Sequence, residues 1–82
     1  MVNIIFKGPL VNYFGTDRII LKNSYNNIID LIKEIDKNDI ISHNGKIRAG
    51  YIILINGRDY RIYNKQLGEN DTVEIIPINH GG

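Results

Sequence analysis

The chain reads Gly68-Glu69-Asn70-Asp71-Thr72-Val73-Glu74-Ile75-Ile76-Pro77 near its carboxyl end, and this stretch decides the fold. Its opening residues are typical of a tight turn. The remainder alternates as a half-buried strand does, which predicts that Val73 and Ile75 face inward. Glu74 and Ile76 are then predicted to face outward. Pro77 closes the strand because proline has no N–H to donate to a neighbouring strand.

Four further strands are predicted from apolar, β-branched runs. Residues 2–7 and 18–22 are expected to form an early hairpin, and residues 59–63 a short edge strand. Residues 51–56 are mostly apolar, as in a strand that is buried on both faces or covered by a partner. The Asn56-Gly57 pair that follows is a strong signal for a tight turn.

One helix is predicted between the early hairpin and the 51–56 strand. Asn27 is a favourable N-cap, and Asp30 stands three residues later, as in a carboxylate variant of the capping box. Apolar residues follow at the spacing of one helix face, namely Ile28, Leu31, Ile32 and Ile35. Residues 38–50 are expected to form a long connection that tucks three isoleucines onto the core: Ile40, Ile41 and Ile47.

This order of elements predicts the α+β class, with a mixed sheet of four to five strands packed on one main helix. It is the arrangement of a ubiquitin-like β-grasp domain, here expected over residues 1–77. In that arrangement the last strand lies between residues 2–7 and residues 51–56. Residues 78–82 are expected to form a flexible tail that leaves from the centre of the sheet.

The composition excludes several classes of function. The chain has 82 residues, no cysteine and two histidines, which excludes disulfides, thiolate chemistry and a histidine-rich metal site. A net charge of +1 without clustered basic residues argues against direct nucleic-acid binding. No apolar run approaches the ~20 residues of a membrane span, and no signal peptide is recognisable, so a cytoplasmic protein is expected. The residues show no nucleophile-elbow spacing, and neither enzymatic activity nor a bound cofactor is expected.

The chain ends in His80-Gly81-Gly82. Glycine has no Cβ and adopts almost any backbone angle, so a terminal pair of glycines builds a fold poorly and fits a narrow channel well. A lone histidine beside them is more often a recognition residue than a catalytic one. These three residues are therefore candidates for recognition and reaction at the tail.

Several of these segments together resemble the sulfur-carrier branch of the ubiquitin-like β-grasp proteins. They are Ile55-Asn56-Gly57, Leu67, residues 69–77 and Gly81-Gly82, with Phe14-Gly15 as a further match. The branch includes MoaD, which is the small subunit of molybdopterin synthase, the thiamine sulfur carrier ThiS, the small archaeal modifier proteins and the ubiquitin-related modifier. The ending His80-Gly81-Gly82 is most similar to that of the ubiquitin-related modifier, whereas Asn70-Asp71 stands where Gly-Asp is commoner in the family.

The resemblance implies a carrier on which separate enzymes act. An E1-like adenylyltransferase would use ATP and Mg²⁺ to activate the carboxylate of Gly82, with His80 and Gly81 recognised beside it. A sulfur donor would then make a thiocarboxylate for a tRNA-thiolation enzyme, or lysines of target proteins would accept the tail in an isopeptide bond. Alternatively, a MoaD-like subunit would donate sulfur in molybdenum cofactor biosynthesis, together with the large subunit of molybdopterin synthase. A second alternative is a β-grasp interaction module without this chemistry.

A docking surface is expected on the side of the sheet that faces away from the helix. Ile5, Leu54 and Ile76 point there if the residues on either side of them point to the helix. With the last strand in the centre, these three side chains are expected to be neighbours, and contiguous exposed apolar residues mark partner surfaces. The expected partner interface therefore consists of Ile5, Leu54, Ile76 and Ile78.

Overall fold

The computed structural model describes residues 1–78. In chain order its elements are β1 (Val2–Phe6), α1 (Pro9–Phe14), β2 (Arg18–Leu21), α2 (Ile28–Ile35), β3 (Ser42–His43), β4 (Lys46–Ile47), β5 (Tyr51–Ile55), β6 (Arg58–Asp59), a 3₁₀ turn (Tyr60–Ile62) and β7 (Asp71–Pro77). Five of these strands form the main sheet, and β3 pairs with β4 in a separate small hairpin.

The strand β7 lies in the middle of the main sheet, whose strand order is β2-β1-β7-β5-β6. It runs parallel to β1, with Val73 opposite Ile4, and antiparallel to β5, with Ile75 opposite Ile53. The outer strands β2 and β6 pair antiparallel with β1 and β5. The predicted β-grasp class, mixed sheet and central last strand are all confirmed.

The helix α2 covers one face of the sheet. Its N-cap is Asn27, whose Oδ1 accepts the N–H of Asp30 at 2.9 Å, as the capping pattern predicts. The predicted apolar face is buried at three positions and partly buried at the fourth: Ile28, Leu31, Ile32 and Ile35. These side chains share the core with the inward residues of the sheet, among them Phe6, Ile53 and Val73.

The prediction of a plain hairpin over residues 2–7 and 18–22 is wrong in one respect, because α1 lies between the two strands. Proline is favoured in the first turn of a helix, where its missing N–H is not needed, and Pro9 begins α1 in that way. Gly15 ends the helix in the left-handed conformation, with φ of 74°. Phe14 then stacks on Phe6, with ring centroids 4.2 Å apart.

Two strand predictions are settled by the structure. Of the two alternatives for residues 51–56, burial on both faces within the domain is excluded, since Ile53 is buried but Ile52, on the side away from α2, is 42% exposed; a strand whose second face is covered by a partner stays a prediction. The predicted edge strand over residues 59–63 is replaced by the end of β6 and the 3₁₀ turn. The cause is local, because the carboxylate of Asp59 accepts the N–H of Arg61 at 2.8 Å and turns the backbone out of the sheet.

The predicted connection over residues 38–50 is folded more tightly than expected. Asn44-Gly45 forms the turn of the β3–β4 hairpin. Asp36, buried at the end of α2, accepts three backbone N–H groups from the residues that lead into β3: Ile40, Ile41 and Ser42. As predicted, the isoleucines of this segment reach the core, where Ile41 is fully buried and the other two are partly buried.

Candidate docking face and tail exit

The central strand β7 ends at one rim of the sheet, next to Gly50. Pro77 lies opposite Tyr51 at the end of β7. One residue further, the N–H of Ile78 donates to the carbonyl of Gly50 at 2.7 Å, so the hydrogen bonding continues past the strand. The φ of Gly50 is 101°, which residues with a side chain rarely adopt. The predicted tail residues lie outside the described part of the chain: His80, Gly81 and Gly82.

The face of the sheet away from α2 carries partly exposed apolar side chains. Ile5, Leu54 and Ile76 all lie there as predicted, because the residues that alternate with them are buried. The register adds Ile52, which lies directly opposite Ile76. Ile52 and Ile78 line the same cleft and are 42% and 41% exposed. We call these residues the open face: Ile5, Ile52, Leu54, Ile76 and Ile78.

Glu74 lies at the centre of the open face and separates two of the residues that were expected to be neighbours. Ile5 is its partner on β1, and Leu54 is its partner on β5. Ile5 and Leu54 therefore lie two strands apart, about 10 Å, and are not in direct contact across the strands. Sequence reasoning placed Glu74 outward but missed both its central position and the contribution of Ile52.

The outer strands add charged residues at the two ends of the row that passes through Glu74. Arg18 on β2 lies opposite Ile5, and Asp59 on β6 lies opposite Leu54. The Asp59 carboxylate is held by Arg61, with Nη2 and Oδ2 2.8 Å apart. Hydrogen bonds from the side chain and the N–H of Arg61 lower the pKa of Asp59 to about 2. That end of the row is therefore an ion pair rather than a free charge.

A cleft of about 390 Å³ lies beside the tail exit. Its apolar walls come from the open face and from the 3₁₀ turn, through Ile52, Ile78 and Tyr60. Arg48 and Arg61 supply two guanidinium groups to the same cleft, and Asp59, which pairs with Arg61, supplies a carboxylate. The surface next to the exit of β7 is therefore apolar and carries one ion pair and one further guanidinium, that of Arg48.

The turn before β7 is held by a hydrogen-bond network around Asp71. Its carboxylate accepts the N–H of Gly68 at 2.9 Å, the side-chain amide of Asn56 at 2.9 Å and the hydroxyl of Tyr63 at 3.3 Å. Burial alone would raise the pKa of Asp71, but these hydrogen bonds outweigh it and hold the pKa below its usual value. Burial, together with the neighbouring Asp71, raises the pKa of Tyr63. Because Asn56 also accepts the N–H of Thr72 at 2.9 Å, the network joins the β5–β6 turn to the start of β7.

Within residues 1–78, no three His, Cys, Asp or Glu side chains come close enough together to hold a metal ion. In that same range no helix has the length and apolar character needed to cross a membrane. The open face itself contributes one carboxylate, that of Glu74, between its apolar side chains.

The chain is similar to known proteins along most of its length. Residues 10–82 match the family described as Urm1 (Ubiquitin related modifier). No curated protein sequence matches the chain. Among solved structures, Urm1 from Sulfolobus solfataricus has a TM-score of 0.81 and 35% sequence identity, over 93% of this chain and 99% of that chain.

Two more distant structures share the fold. The solution structure of Urm1 from Trypanosoma brucei has a TM-score of 0.75 and 23% identity, over 99% of this chain and 94% of that one. The crystal structure of SAMP1 from Haloferax volcanii has a TM-score of 0.69 and 15% identity, over 99% and 98%. The resemblance inferred from sequence is confirmed. Because the family match spans residues 10–82 and the Sulfolobus protein is 35% identical over nearly its whole length, this chain belongs to the ubiquitin-related modifier family, whose members are small ubiquitin-like modifiers rather than enzymes.

Proposed function

We propose that the protein is a ubiquitin-like sulfur carrier and protein modifier that acts through the carboxylate of Gly82. An E1-like enzyme adenylates this carboxylate, which then becomes a thiocarboxylate for tRNA thiolation or is joined to lysines of target proteins. The observation that carries the proposal is the exit of the central strand β7 beside the open face, in a sequence that continues to Gly81-Gly82. The family match, which runs to residue 82, supports it.

Activation is required because a carboxylate is a poor electrophile. A carboxylate oxygen of Gly82 attacks the α-phosphorus of ATP, and pyrophosphate leaves to give an acyl-adenylate. A sulfur nucleophile or a lysine amine then attacks the acyl carbon, and AMP leaves. The activating enzyme binds ATP and Mg²⁺ and stabilises the phosphate charge. The modifier contributes the carboxylate and its presentation.

The tail is long enough to enter an active site while the domain stays outside. Residues 79–82 reach at most about 13–14 Å beyond Ile78, at ~3.3–3.6 Å per residue. Gly81 and Gly82 lack the Cβ that would meet the walls of a narrow channel. His80 offers the enzyme a polar side chain to recognise immediately before them.

The open face supplies docking energy that the tail lacks. Fixing the backbone of one residue costs about 1–2 kcal/mol, so threading the tail into a channel is unfavourable by itself. Burial of apolar surface contributes about 25 cal/mol per Å² and offsets this cost. We therefore assign the contact with the activating enzyme to the predicted residues Ile5, Leu54, Ile76 and Ile78, together with Ile52.

Intact-mass spectrometry tests the activation step. The protein is incubated with the E1-like enzyme of the same cell, ATP, Mg²⁺ and a sulfide donor, and the expected product carries sulfur in place of one carboxylate oxygen. Gly82→Ala and deletion of residues 81–82 are expected to abolish the product without lowering the melting temperature. Asn79→Ala, which leaves both glycines in place, is the matched control and should react as the wild type does. A wild-type protein that forms neither adenylate nor thiocarboxylate overturns the proposal.

A pull-down from cells separates the uses of the activated tail. Protein tagged at its amino terminus is expected to form higher-mass conjugates through lysines, and these should disappear when residues 81–82 are deleted. A stoichiometric complex with the large subunit of molybdopterin synthase, without conjugates, would instead assign the protein to cofactor biosynthesis.

A further inference from the structure

Glu74 is a lone carboxylate in the middle of the open face. Its partners across the sheet are Ile5 on β1 and Leu54 on β5, and the next outward residue of β7 is Ile76. The side chain is already partly buried, although α2 does not cover this face. A carboxylate among apolar groups is tolerated while water reaches it, but burying it without a partner is strongly unfavourable.

No cation of the described chain pairs with Glu74. Arg18 lies two strands away in the same row, on the outer strand β2. The guanidinium of Arg61 is bound to Asp59 at 2.8 Å. Lys7, exposed and one residue past the end of β1, falls on the same face by alternation with Ile5 and forms no ion pair within residues 1–78. The open face therefore presents an apolar surface with an unpaired carboxylate at its centre and the ammonium group of Lys7 at its edge.

We infer that the partner of the open face carries an arginine or lysine at the centre of its contact surface, opposite Glu74. The inference rests on the proposed function, and the partner is the E1-like activating enzyme. Docking removes water from Ile5 and Leu54 and from the carboxylate between them, so an uncharged partner surface would leave a buried, unpaired charge. A guanidinium or ammonium group opposite Glu74 forms charge-assisted hydrogen bonds with the carboxylate, while the residues around it cover the apolar side chains.

A second copy of this chain fits the same face poorly. A symmetric dimer uses the same patch on both partners, and Glu74 lies in the middle of that patch. The two-fold axis would therefore bring two Glu74 carboxylates together, and like charges repel strongly in a desolvated interface. The cations of this face are Arg18, on the outer strand β2, and Lys7, beyond the end of β1, so a second copy would offer both at the rim rather than at the centre.

The consequence is selection between partners. Charged residues are depleted at the centre of protein interfaces, so a central carboxylate disfavours apolar surfaces that lack a matching cation. The same charge attracts a basic enzyme surface before contact and raises the association rate at low salt. Glu74 is thus a residue that determines specificity for the activating enzyme.

ATP–pyrophosphate exchange catalysed by the activating enzyme tests this inference, with the modifier as the varied substrate. Glu74→Gln keeps the shape and removes the charge, and it is expected to raise KM about 30-fold while leaving kcat at saturation nearly unchanged. Glu74→Lys is expected to raise KM by about 100-fold or more, because it sets two cations against each other. Glu69→Gln and Glu69→Lys change an exposed acid in the turn before β7 and serve as matched controls. Their KM should stay within about threefold of wild type.

Two further measurements separate docking from folding and identify the partner residue. The melting temperature of Glu74→Gln is expected to equal or exceed that of the wild type, because Glu74 makes no side-chain hydrogen bond or ion pair within residues 1–78. Replacing one basic residue on the enzyme's docking surface with glutamate is expected to restore ATP–pyrophosphate exchange with the Glu74→Lys protein. The KM of the wild type should also rise more steeply with ionic strength than that of Glu74→Gln.

Different failures point to different errors. Equal KM values for the wild type and Glu74→Gln would overturn the inference and leave the proposed function standing. A concentration-dependent dimer in sedimentation, weakened by substitutions on the open face, would assign that face to a second copy and also overturn it. Absence of exchange with the wild-type protein would overturn the proposed function and, with it, the inference.

Discussion

Replacing Asp36 should cost this domain a large part of its stability. The side chain is 4% exposed and ends α2. Its Oδ1 accepts the N–H of Ile40 at 2.9 Å, and its Oδ2 accepts the N–H of Ile41 at 2.7 Å and that of Ser42 at 3.0 Å. Asp36→Ala leaves all three donors without an acceptor, and two of them lie in buried residues, Ile41 and Ser42.

The magnitude follows from these donors. A buried donor left unsatisfied costs about 1–3 kcal/mol, so the two buried donors together set an expected loss of about 2–6 kcal/mol for Asp36→Ala. A domain of this size is stable by roughly 4–12 kcal/mol, at about 0.05–0.15 kcal/mol per residue, so the loss is substantial. Asp36→Asn retains one acceptor oxygen but turns an amide donor toward a backbone N–H, and about 2 kcal/mol is expected.

Urea unfolding at neutral pH measures both losses, and hydrogen exchange locates them. The amides of Ile40, Ile41 and Ser42 should lose protection in Asp36→Asn while those of β7 keep theirs. Asp17→Asn removes a charge from an exposed side chain that makes no hydrogen bond within residues 1–78, so it is the matched control and should stay within about 0.5 kcal/mol of wild type. A loss below about 1 kcal/mol for Asp36→Ala, with unchanged protection of the three amides, would refute the reasoning.

Three other substitutions test separate parts of the fold. Because hydrogen bonds lower the pKa of Asp71, its contribution to stability is present above the ordinary value of 3.8 and is lost as the pH falls through the lowered value. Urea titrations of the wild type and Asp71→Asn should therefore differ by about 1–3 kcal/mol at pH 7 and converge in acid. Gly57 has φ of 83°, and a Cβ at this position would meet only open space. Gly57→Ala should therefore lower the free energy of unfolding by about 1–2 kcal/mol through backbone strain alone, and Gly57→Asn should lower it less. Leu10 is 4% exposed, so Leu10→Ala should cost about 2–5 kcal/mol in the same assay, whereas Asn12→Ala, exposed on the same helix, should cost little.

Each of these expectations can fail on its own. Curves for the wild type and Asp71→Asn that stay parallel into acid would mean that the carboxylate contributes nothing through its charge. Equal losses for Gly57→Ala and Gly57→Asn would remove backbone strain as the cause. A Leu10→Ala protein as stable as the Asn12→Ala protein would mean that α1 does not contribute to the core.

The sequence was sufficient where side-chain periodicity alone decides the structure. The alternation in residues 72–77 and the i, i+3, i+4 spacing after Asn27 each report which side faces the core, and both were confirmed. The helix α1 was missed because Gly8-Pro9 was interpreted only as a break. Proline at the first helical position, followed by Gly15 after the last, was the available signal.

The composition of the open face depends on strand register, which periodicity does not contain. Alternation places Ile5, Glu74 and Leu54 on one side, but only the pairing shows that Glu74 separates the other two. The same pairing brings in Ile52 opposite Ile76. Asp36 was also beyond the reach of pattern analysis, because its three acceptor contacts depend on how the chain turns after α2.

The central position of β7 also has a consequence for synthesis. The strand that joins β1 to β5 follows the other four strands of the main sheet in the chain, so the two halves of the sheet cannot be joined until the residues next to the tail have been made. Pairings between residues so far apart in sequence form late in folding. A nascent or truncated chain that lacks β7 would expose the inward side chains of β1 and β5 and would be a substrate for proteases and chaperones. A chain that has closed its main sheet therefore already contains the strand that leads to Gly82. Folding in this way distinguishes such chains from chains truncated before β7.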